Sequence, residues 1–324
     1  MAKRMELKAI GGTEGFDLVD FEPSPPGADE ILIAQEAIGL NFVDIYQRKG
    51  LYPLPEFPAV LGVEAAGTIA AVGAGVSGLT IGDRVAYAGL PAGAYTSHRI
   101  LPAARAIKLP DFVSVEEAAA SMLRGLTTYM LLDRVYRVEE GTTLLVHSAA
   151  GGVGTLTTRW AKKRGACVVG TVGSKEKRQR AEANGADHVI VLSDGDFVKE
   201  VLAFTQGKGV DMVIDGIGGD VPLRSIACLR SLGVLASIGM AAGPATPIPL
   251  AAIPPMKAIT LARPSVLAYV QDEAAYRRGA DEVFAMIEAG VKPAIGATYK
   301  LANVATAQSD LEAGRTIGSL LLVP

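Results

Sequence analysis

The chain has 324 residues, of which 49% are hydrophobic and 20% charged. That length corresponds to about two domains, and that composition excludes a disordered chain. The 31 basic and 34 acidic residues give a formal net charge of −3. No basic excess is available to neutralise a phosphate backbone, which argues against a nucleic-acid partner.

Residues 1–8 alternate charged and apolar side chains and lack the apolar run of a signal peptide, so no export segment is expected. Residues 30–36 (EILIAQE), 62–72 (GVEAAGTIAAV) and 82–87 (GDRVAY) read as strands, punctuated by Gly and Pro. They predict an irregular β-barrel domain. Residues 115–136 have helical spacing, with Ala118, Ala119, Met122, Leu123, Leu126, Tyr129 and Met130 on one face.

Strands then alternate with helices. Residues 143–147, 167–171, 188–192, 212–215, 232–238 and 258–261 read as strands, and 153–164 and 175–184 as helices. This alternation predicts an α/β fold with a doubly wound parallel sheet. A helix at 281–289 and a strand at 319–323 are expected to finish the chain. The uncharged stretch 231–256 contains Pro244, Pro247, Pro249, Pro254 and Pro255. A membrane-spanning helix cannot lose so many N–H donors, so it reads as a strand and a Pro-rich connection, and no membrane partner is expected. Two cysteines, Cys167 and Cys228, make no disulfide framework and suit a cytoplasmic protein.

His147-Ser148-Ala149-Ala150-Gly151-Gly152-Val153-Gly154 follows a predicted strand and opens a predicted helix. Aligned on the dinucleotide fingerprint G-x-G-x-x-G, its slots hold Ala149, Gly151 and Gly154. Gly151 would let the backbone approach a pyrophosphate, and Gly154 would let helix and strand pack closely. Ala149 requires a first turn that tolerates a Cβ. The chain holds its own control, because residues 73–78 (GAGVSG) match the pattern outright but precede another strand. That segment reads as a turn of the barrel.

An NAD site expects an acidic residue about 20 positions on, bonded to the ribose 2′-OH. The next strand ends instead in Gly173 and Ser174, followed by Lys175, Lys177 and Arg178, with Glu176 already inside the helix. A hydroxyl and a cation suit a 2′-phosphate, which favours NADPH over NADH. The alternative is that these cations form a solvated helix face.

The three histidines, His98, His147 and His188, form no close pair with another His or Cys, and no C-x-x-C or H-E-x-x-H occurs. No metal is therefore expected. No nucleophile elbow and no Walker loop is present.

These residues resemble the zinc-free quinone oxidoreductase (zeta-crystallin-like) branch of the medium-chain dehydrogenase/reductase superfamily, nearly end to end. The resemblance rests on residues 41–46 (NFVDIY) with Arg48, Gly50, Leu51 and Tyr52, on residues 61–67 (LGVEAAG), and on 82–85 (GDRV). It continues through the 149–154 loop, residues 170–177, Arg263-Pro264-Ser265 and 314–324. Where zinc alcohol dehydrogenases carry a catalytic-zinc His, this chain has Val63 beside Glu64.

The resemblance implies a GroES-like catalytic domain over residues 1–124, completed by 267–324, and a Rossmann NADP(H)-binding domain over 125–266. It implies an active site in the cleft between them. Phe42, Tyr46 and Thr127 would line the nicotinamide. Gly151, Gly152, Val153 and Gly154 would meet the pyrophosphate, and Gly173, Ser174 and Lys177 the 2′-phosphate. Leu192 stands where relatives often place a Tyr near the adenosine. Ile238, Gly239, Met240, Ala241, Pro264, Ser265, Val266 and Arg315 would close over the cofactor. The family's final Gly-Lys is Gly318-Ser319 here.

Asn41, Asp44, Tyr46, Arg48 and Tyr52 cluster as candidate catalytic residues. Tyr46 or Tyr52 would hydrogen-bond a flat quinone's oxygen, and Asn41 would orient the quinone or the nicotinamide ring. Asp44 and Arg48, at i and i+4, read equally as a helix-surface ion pair. The implied activity is NADPH-dependent quinone reduction. The alternatives are NADPH-dependent reduction of enones or alkenals, and a non-catalytic NADPH- or RNA-binding role. A homodimer is implied through the Rossmann sheet edge at residues 258–263, bounded by Ala258 and Arg263.

Overall fold

The computed structural model describes residues 1–324. In chain order its principal elements are β1 (Ala2–Leu7), β2 (Phe16–Phe21), β3 (Glu30–Leu40), α1 (Phe42–Arg48), β4 (Ala59–Val60), β5 (Glu64–Val72), β6 (Arg84–Ala88), β7 (His98–Pro102) and β8 (Ile107–Lys108). There follow α2 (Val115–Tyr129), β9 (Thr143–Val146), α3 (Gly152–Lys163), β10 (Cys167–Val172), α4 (Lys175–Ala183), β11 (His188–Val191), α5 (Phe197–Phe204), β12 (Val210–Asp215), α6 (Val221–Ser225), β13 (Leu229–Ser237) and β14 (Thr260–Ala262). The last are α7 (Val266–Tyr269), α8 (Glu273–Glu288), β15 (Ile295–Lys300), α9 (Val304–Glu312) and β16 (Ser319–Val323). The chain forms two compact units, Met1–Leu126 with Val266–Pro324, and Thr127–Ser265.

The first unit is mainly β. One sheet runs β15-β16-β3-β5-β6-β8 with β7 also paired to β3, and a three-stranded sheet runs β2-β1-β4. β3 begins with the alternation that a half-buried strand requires, burying Ile31 and Ile33. Their side chains join Leu40, Leu61, Ile69, Tyr87, Tyr95 and Leu320 in one core. The GAGVSG segment is a turn between β5 and β6, tied by Gly75 N–H to Ala28 O at 2.8 Å and by Val76 N–H to Gly73 O at 3.1 Å. It is part of the barrel scaffold, as its position before a strand predicts.

Several features of this unit differ from the sequence expectation, among them the unpredicted strands β1, β2 and β7 and the end of α2 at Tyr129 rather than 136. The helix expected at 281–289 begins at Glu273, because Asp272 caps it by accepting from the Ala275 N–H at 2.8 Å. α9 and β15 were not anticipated. β15 is largely exposed and α9 only weakly amphipathic, so neither has a strong apolar period.

The second unit is a six-stranded sheet in the order β11-β10-β9-β12-β13-β14, parallel throughout. Counted from β9 this is 3-2-1-4-5-6, the order of the dinucleotide-binding fold. Leu145, Val169, Ile190, Val213 and Leu235 form its core with Phe197 from α5. Strands buried on both faces read as continuous apolar runs, which is why short segments such as TLLV were legible. β13 is followed by the Pro-rich connection, and no helix is long and apolar enough to cross a membrane.

Candidate active site and cofactor cradle

All strands of the second unit point the same way, so their carboxyl ends share one edge of the sheet. The order reverses between β9 and β12, and ligands of such sheets bind outside the strand ends at that reversal. The glycine loop lies there, directly after β9. Gly151 N–H closes a tight turn onto Ser148 O at 2.8 Å, and α3 starts at Gly152. The turn's left-handed residue is Ser148, with φ of 55°, so Ala149 need not adopt that conformation. Gly170 on β10 makes room for the Ala149 methyl, because a Cβ there would lie 2.7 Å from it.

Gly154 sits where the helix start meets the loop rather than a strand. A Cβ on it would stand 2.3 Å from Ser148 O and 2.8 Å from Ala149 Cα. Only glycine lets the first turn of α3 pack against the loop. The N-terminus of α3 presents backbone N–H groups and the positive end of its dipole. Those donors suit a pyrophosphate.

The other expected contacts in this unit lie along the same strand ends. Gly173 and Ser174 follow β10, and a Cβ on Gly173 would meet nothing within 4 Å. The space beside it is open to a ligand. Ser174 is the N-cap of α4, and Lys177 is half-buried one turn in. The Ser174 hydroxyl hydrogen-bonds the Glu176 carboxyl and holds it below the usual range. Leu192 follows β11 and packs on the unit's core. Ile238, Gly239, Met240 and Ala241 follow β13 and are stitched to the loop after β12, with Ile238 N–H on Asp215 O at 2.7 Å and Ala241 N–H on Gly216 O at 3.2 Å. Pro264 and Ser265 follow β14. Thr127 lies buried in α2.

His147 at the end of β9 is buried between Thr171 Oγ1, 2.8 Å from Nδ1, and Ser225 Oγ, 2.9 Å from Nε2. Ser225 donates its own proton to Val221 O at 2.7 Å, so it accepts from His147. That fixes the neutral Nε2–H tautomer, with Thr171 donating to Nδ1. Burial pushes the imidazole down to about 3. It is a structural clamp joining β9, β10 and α6. Asp215, at the end of β12, was not picked out from sequence. It accepts from Ile217 and Gly218 N–H groups, each at 3.1 Å, and burial lifts it to about 6.

In the first unit the candidate catalytic residues lie on α1 and the loop after it. Phe42, Tyr46 and Tyr52 form an aromatic row, with ring centroids 6.1 Å apart for the first pair and 5.5 Å for the edge-on second. The loop folds back because Leu51 and Tyr52 N–H groups both donate to Tyr46 O, at 2.8 and 3.2 Å. Beneath this row is a buried polar base. Asn41 caps α1, and its Nδ2 donates to Glu64 Oε1 at 2.7 Å. Glu64 also accepts from Leu123 N–H at 2.7 Å and Arg124 Nη1 at 2.9 Å.

Asp44 and Arg48 do not form the surface ion pair that their spacing allows. Asp44 is fully buried, and its Oδ2 accepts from Tyr95 Oη and Asn41 N–H, each at 2.8 Å. Arg48 is 2% exposed and donates to Gln308 at 2.7 Å, and to Gly11 O and Glu312 at 2.6 Å each. Partners distant in sequence win because they offer each group more hydrogen bonds. Arg315 is exposed and held on Asp310 at 2.8 Å. Val266 opens α7. No three His, Cys, Asp or Glu side chains come together.

Residues 27–111 match the alcohol dehydrogenase GroES-like domain, and residues 152–280 match the zinc-binding dehydrogenase family. The chain is 41% identical to a quinone oxidoreductase of Pseudomonas aeruginosa over 325 residues, covering 100% of both. The chain belongs to the quinone oxidoreductase family of medium-chain dehydrogenases/reductases.

Within that family the fold superposes on Escherichia coli quinone oxidoreductase complexed with NADPH, with a TM-score of 0.95 at 39% identity, covering 99% of this chain and 100% of that one. A 2-haloacrylate reductase of Burkholderia is 36% identical over 97% of this chain and 96% of its own length. The quinone oxidoreductase fold thus accounts for both units, an oxidoreductase with a GroES-like domain and a Rossmann domain. Its buried Glu64, unlike the neighbouring Val63, carries polar contacts into the base of α1.

Proposed function

We propose that this chain catalyses NADPH-dependent reduction of quinones. The observation that carries the reading is the aromatic row Phe42–Tyr46–Tyr52 set on the buried base of α1. It offers a flat apolar partner two rings with phenolic hydroxyls. Full-length similarity to quinone oxidoreductases supports it.

The residues of the second unit fit NADPH. The glycine-packed N-terminus of α3 would hold the pyrophosphate, and Ser174 and Lys177 the 2′-phosphate, with open space at Gly173. When bound, the nicotinamide supplies the hydride. Tyr46 or Tyr52 donates a hydrogen bond to the quinone oxygen as negative charge develops on it. Asn41 is held in one orientation by Glu64, and so can orient a ring without reorganising. Asp44 and Arg48, buried and turned to protein partners, support α1 and do not touch the substrate.

The test is NADPH oxidation, followed by the cofactor's absorbance, with 1,4-benzoquinone as acceptor beside NADH controls. Fast turnover that falls at least about tenfold in Tyr46→Phe or Tyr52→Phe supports the reading. Unchanged kcat/KM in both variants removes the tyrosine role. A second reading, reduction of activated C=C bonds, is favoured by the similarity to 2-haloacrylate reductase. Turnover of 2-chloroacrylate without benzoquinone turnover would select it.

The same reading includes a homodimer through the edge strand β14. Its outer side is unpaired, and Leu261, Met256 and Leu250 are exposed near it, at 42%, 93% and 85%. It also places the protein in the cytoplasm, where the free thiols Cys167 and Cys228 and a reduced nicotinamide cofactor are at home.

A further inference from the structure

Two buried oxygens in the first unit accept no hydrogen bond: Asp44 Oδ1 and Gln47 Oε1. Both belong to α1, three residues apart, and residues at that spacing share a helix face. Helical side chains lean toward the N-terminus, so the spacing lets Gln47 reach back over the turn that holds Asp44. Each residue leaves one desolvated acceptor, and a single proton shared between the two would satisfy both.

We propose that Asp44 is a positioning residue that carries a proton in the folded protein, donating from Oδ1 to Gln47 Oε1 while Oδ2 accepts from Tyr95 and from the Asn41 N–H.

The charge balance of the buried cluster points the same way. Two carboxyls, Glu64 on β5 and Asp44 on α1, share one cation, Arg124 on α2. Tyr95 faces Asp44 as a donor, and Gln308 on α9 binds Tyr95 in turn at 3.3 Å. Arg48, on Asp44's own helix, is turned to Gln308, Gly11 and Glu312. Burial pushes the Glu64 carboxyl up as well, but three donors across both its oxygens, including the guanidinium, oppose that push, and so Glu64 holds the negative charge. Asp44 has two donors on one oxygen and none on the other. One proton on Asp44 leaves Glu64 and Arg124 as a neutral pair, which avoids an uncompensated buried charge. Burial accordingly raises the Asp44 carboxyl to about 7, against the pull of the Asn41 and Tyr95 hydrogen bonds.

The protonated acid ties the first turn of α1 to its second and to Tyr95. That turn carries Asn41 at its cap and Phe42, with Tyr46 next along. The inference concerns a protonation state and stands whichever acceptor is reduced.

The experiment is carboxyl-carbon NMR of the full chain labelled at aspartate, titrated with pH and assigned with Asp44→Asn. One carboxyl is expected to keep its protonated shift well above the ordinary aspartate range of about 3.9 and to vanish in the variant. An Asp44 signal ionised at about pH 5 would overturn the proposal. Gln47→Leu reads the partner. If the acid donates to Oε1, losing that acceptor moves the Asp44 titration down. If a flipped Gln47 amide donates to a carboxylate, the titration moves up; an unmoved titration excludes Gln47 as partner. Either of those results overturns the assignment. Thermal melting supplies a second readout. Asp44→Asn, which keeps a donor toward Gln47 and an acceptor toward Tyr95, is expected to melt at or above wild type at about pH 8, and Asp44→Ala below it. Loss of stability in both alike would count against a neutral acid.

Discussion

Asn41 and Glu64, 23 residues apart, meet through a hydrogen bond of 2.7 Å between amide Nδ2 and carboxylate Oε1. The bond joins the cap of α1 to the start of β5 and exists because Gly39 has no side chain. A Cβ on Gly39 would lie 2.2 Å from that same Oε1 and 2.5 Å from Ala119 O. A glycine, a buried carboxylate and an asparagine thus determine together where the aromatic row of α1 stands.

Removing Glu64 leaves Arg124 as a buried cation without its hydrogen-bonded counter-charge, because both side chains are nearly inaccessible. Glu64→Ala is expected to cost about 3–5 kcal/mol in urea unfolding. Gly39→Ala is expected to be destabilised as well, by forcing the carboxylate away. A midpoint within error of wild type for Glu64→Ala would show that the network contributes little.

Two glycines of the cofactor cradle separate packing from ligand space. Gly154→Ala drives a Cβ into backbone at 2.3 Å and is expected to cost about 1–3 kcal/mol in stability. Gly173→Ala meets no atom within 4 Å, so stability is expected to change by less than about 0.5 kcal/mol. Its effect is expected in the dissociation constant for NADPH, measured by calorimetry on the same protein.

His147 stays neutral over the working pH range. Its folded value of about 3 lies below the unfolded 6.5, so the unfolded chain binds the extra proton between them. The stability it supports is full above about 6.5 and is lost as pH falls toward 3, by up to about 1.4 kcal/mol per pH unit. Its imidazole carbon resonances are expected to be flat from about pH 5 to 9. A titration near 6.5 would mean that the clamp between Thr171 and Ser225 opens.

Cofactor choice is expected to rest on α4. Lys177→Ala should weaken NADPH binding by about tenfold and leave NADH nearly unchanged, through loss of one charge-assisted hydrogen bond. Glu176→Gln should do the reverse, strengthening NADPH binding, because its carboxylate shares Ser174, which we propose holds the 2′-phosphate. Equal effects on both cofactors would move the 2′-phosphate elsewhere.

The proposed dimer is tested at β14. Leu261→Lys places a charge on the exposed edge, which is expected to turn a dimer into a monomer in sedimentation equilibrium. Wild-type protein that sediments as a monomer would remove this interface.

The amino-acid sequence by itself determined the parallel sheet, the glycine loop and the class of cofactor. Those features are written in short runs: an apolar strand, a turn, a helix start, a hydroxyl with a cation. The Ala149 departure was visible too, although only the backbone showed that Ser148 takes the left-handed conformation and Gly170 clears the methyl. Weakly patterned elements such as β15 and α9 escaped, since β15 is largely exposed and α9 has no strong apolar period. The fates of Asp44 and Arg48 were decided by tertiary structure alone. Sequence spacing encodes neighbours at i+4, which made an ion pair the natural expectation. The partners are Tyr95, 51 residues away, and Gln308, 260 residues away. Folding brings them in, and a desolvated polar group takes whichever neighbours supply hydrogen bonds.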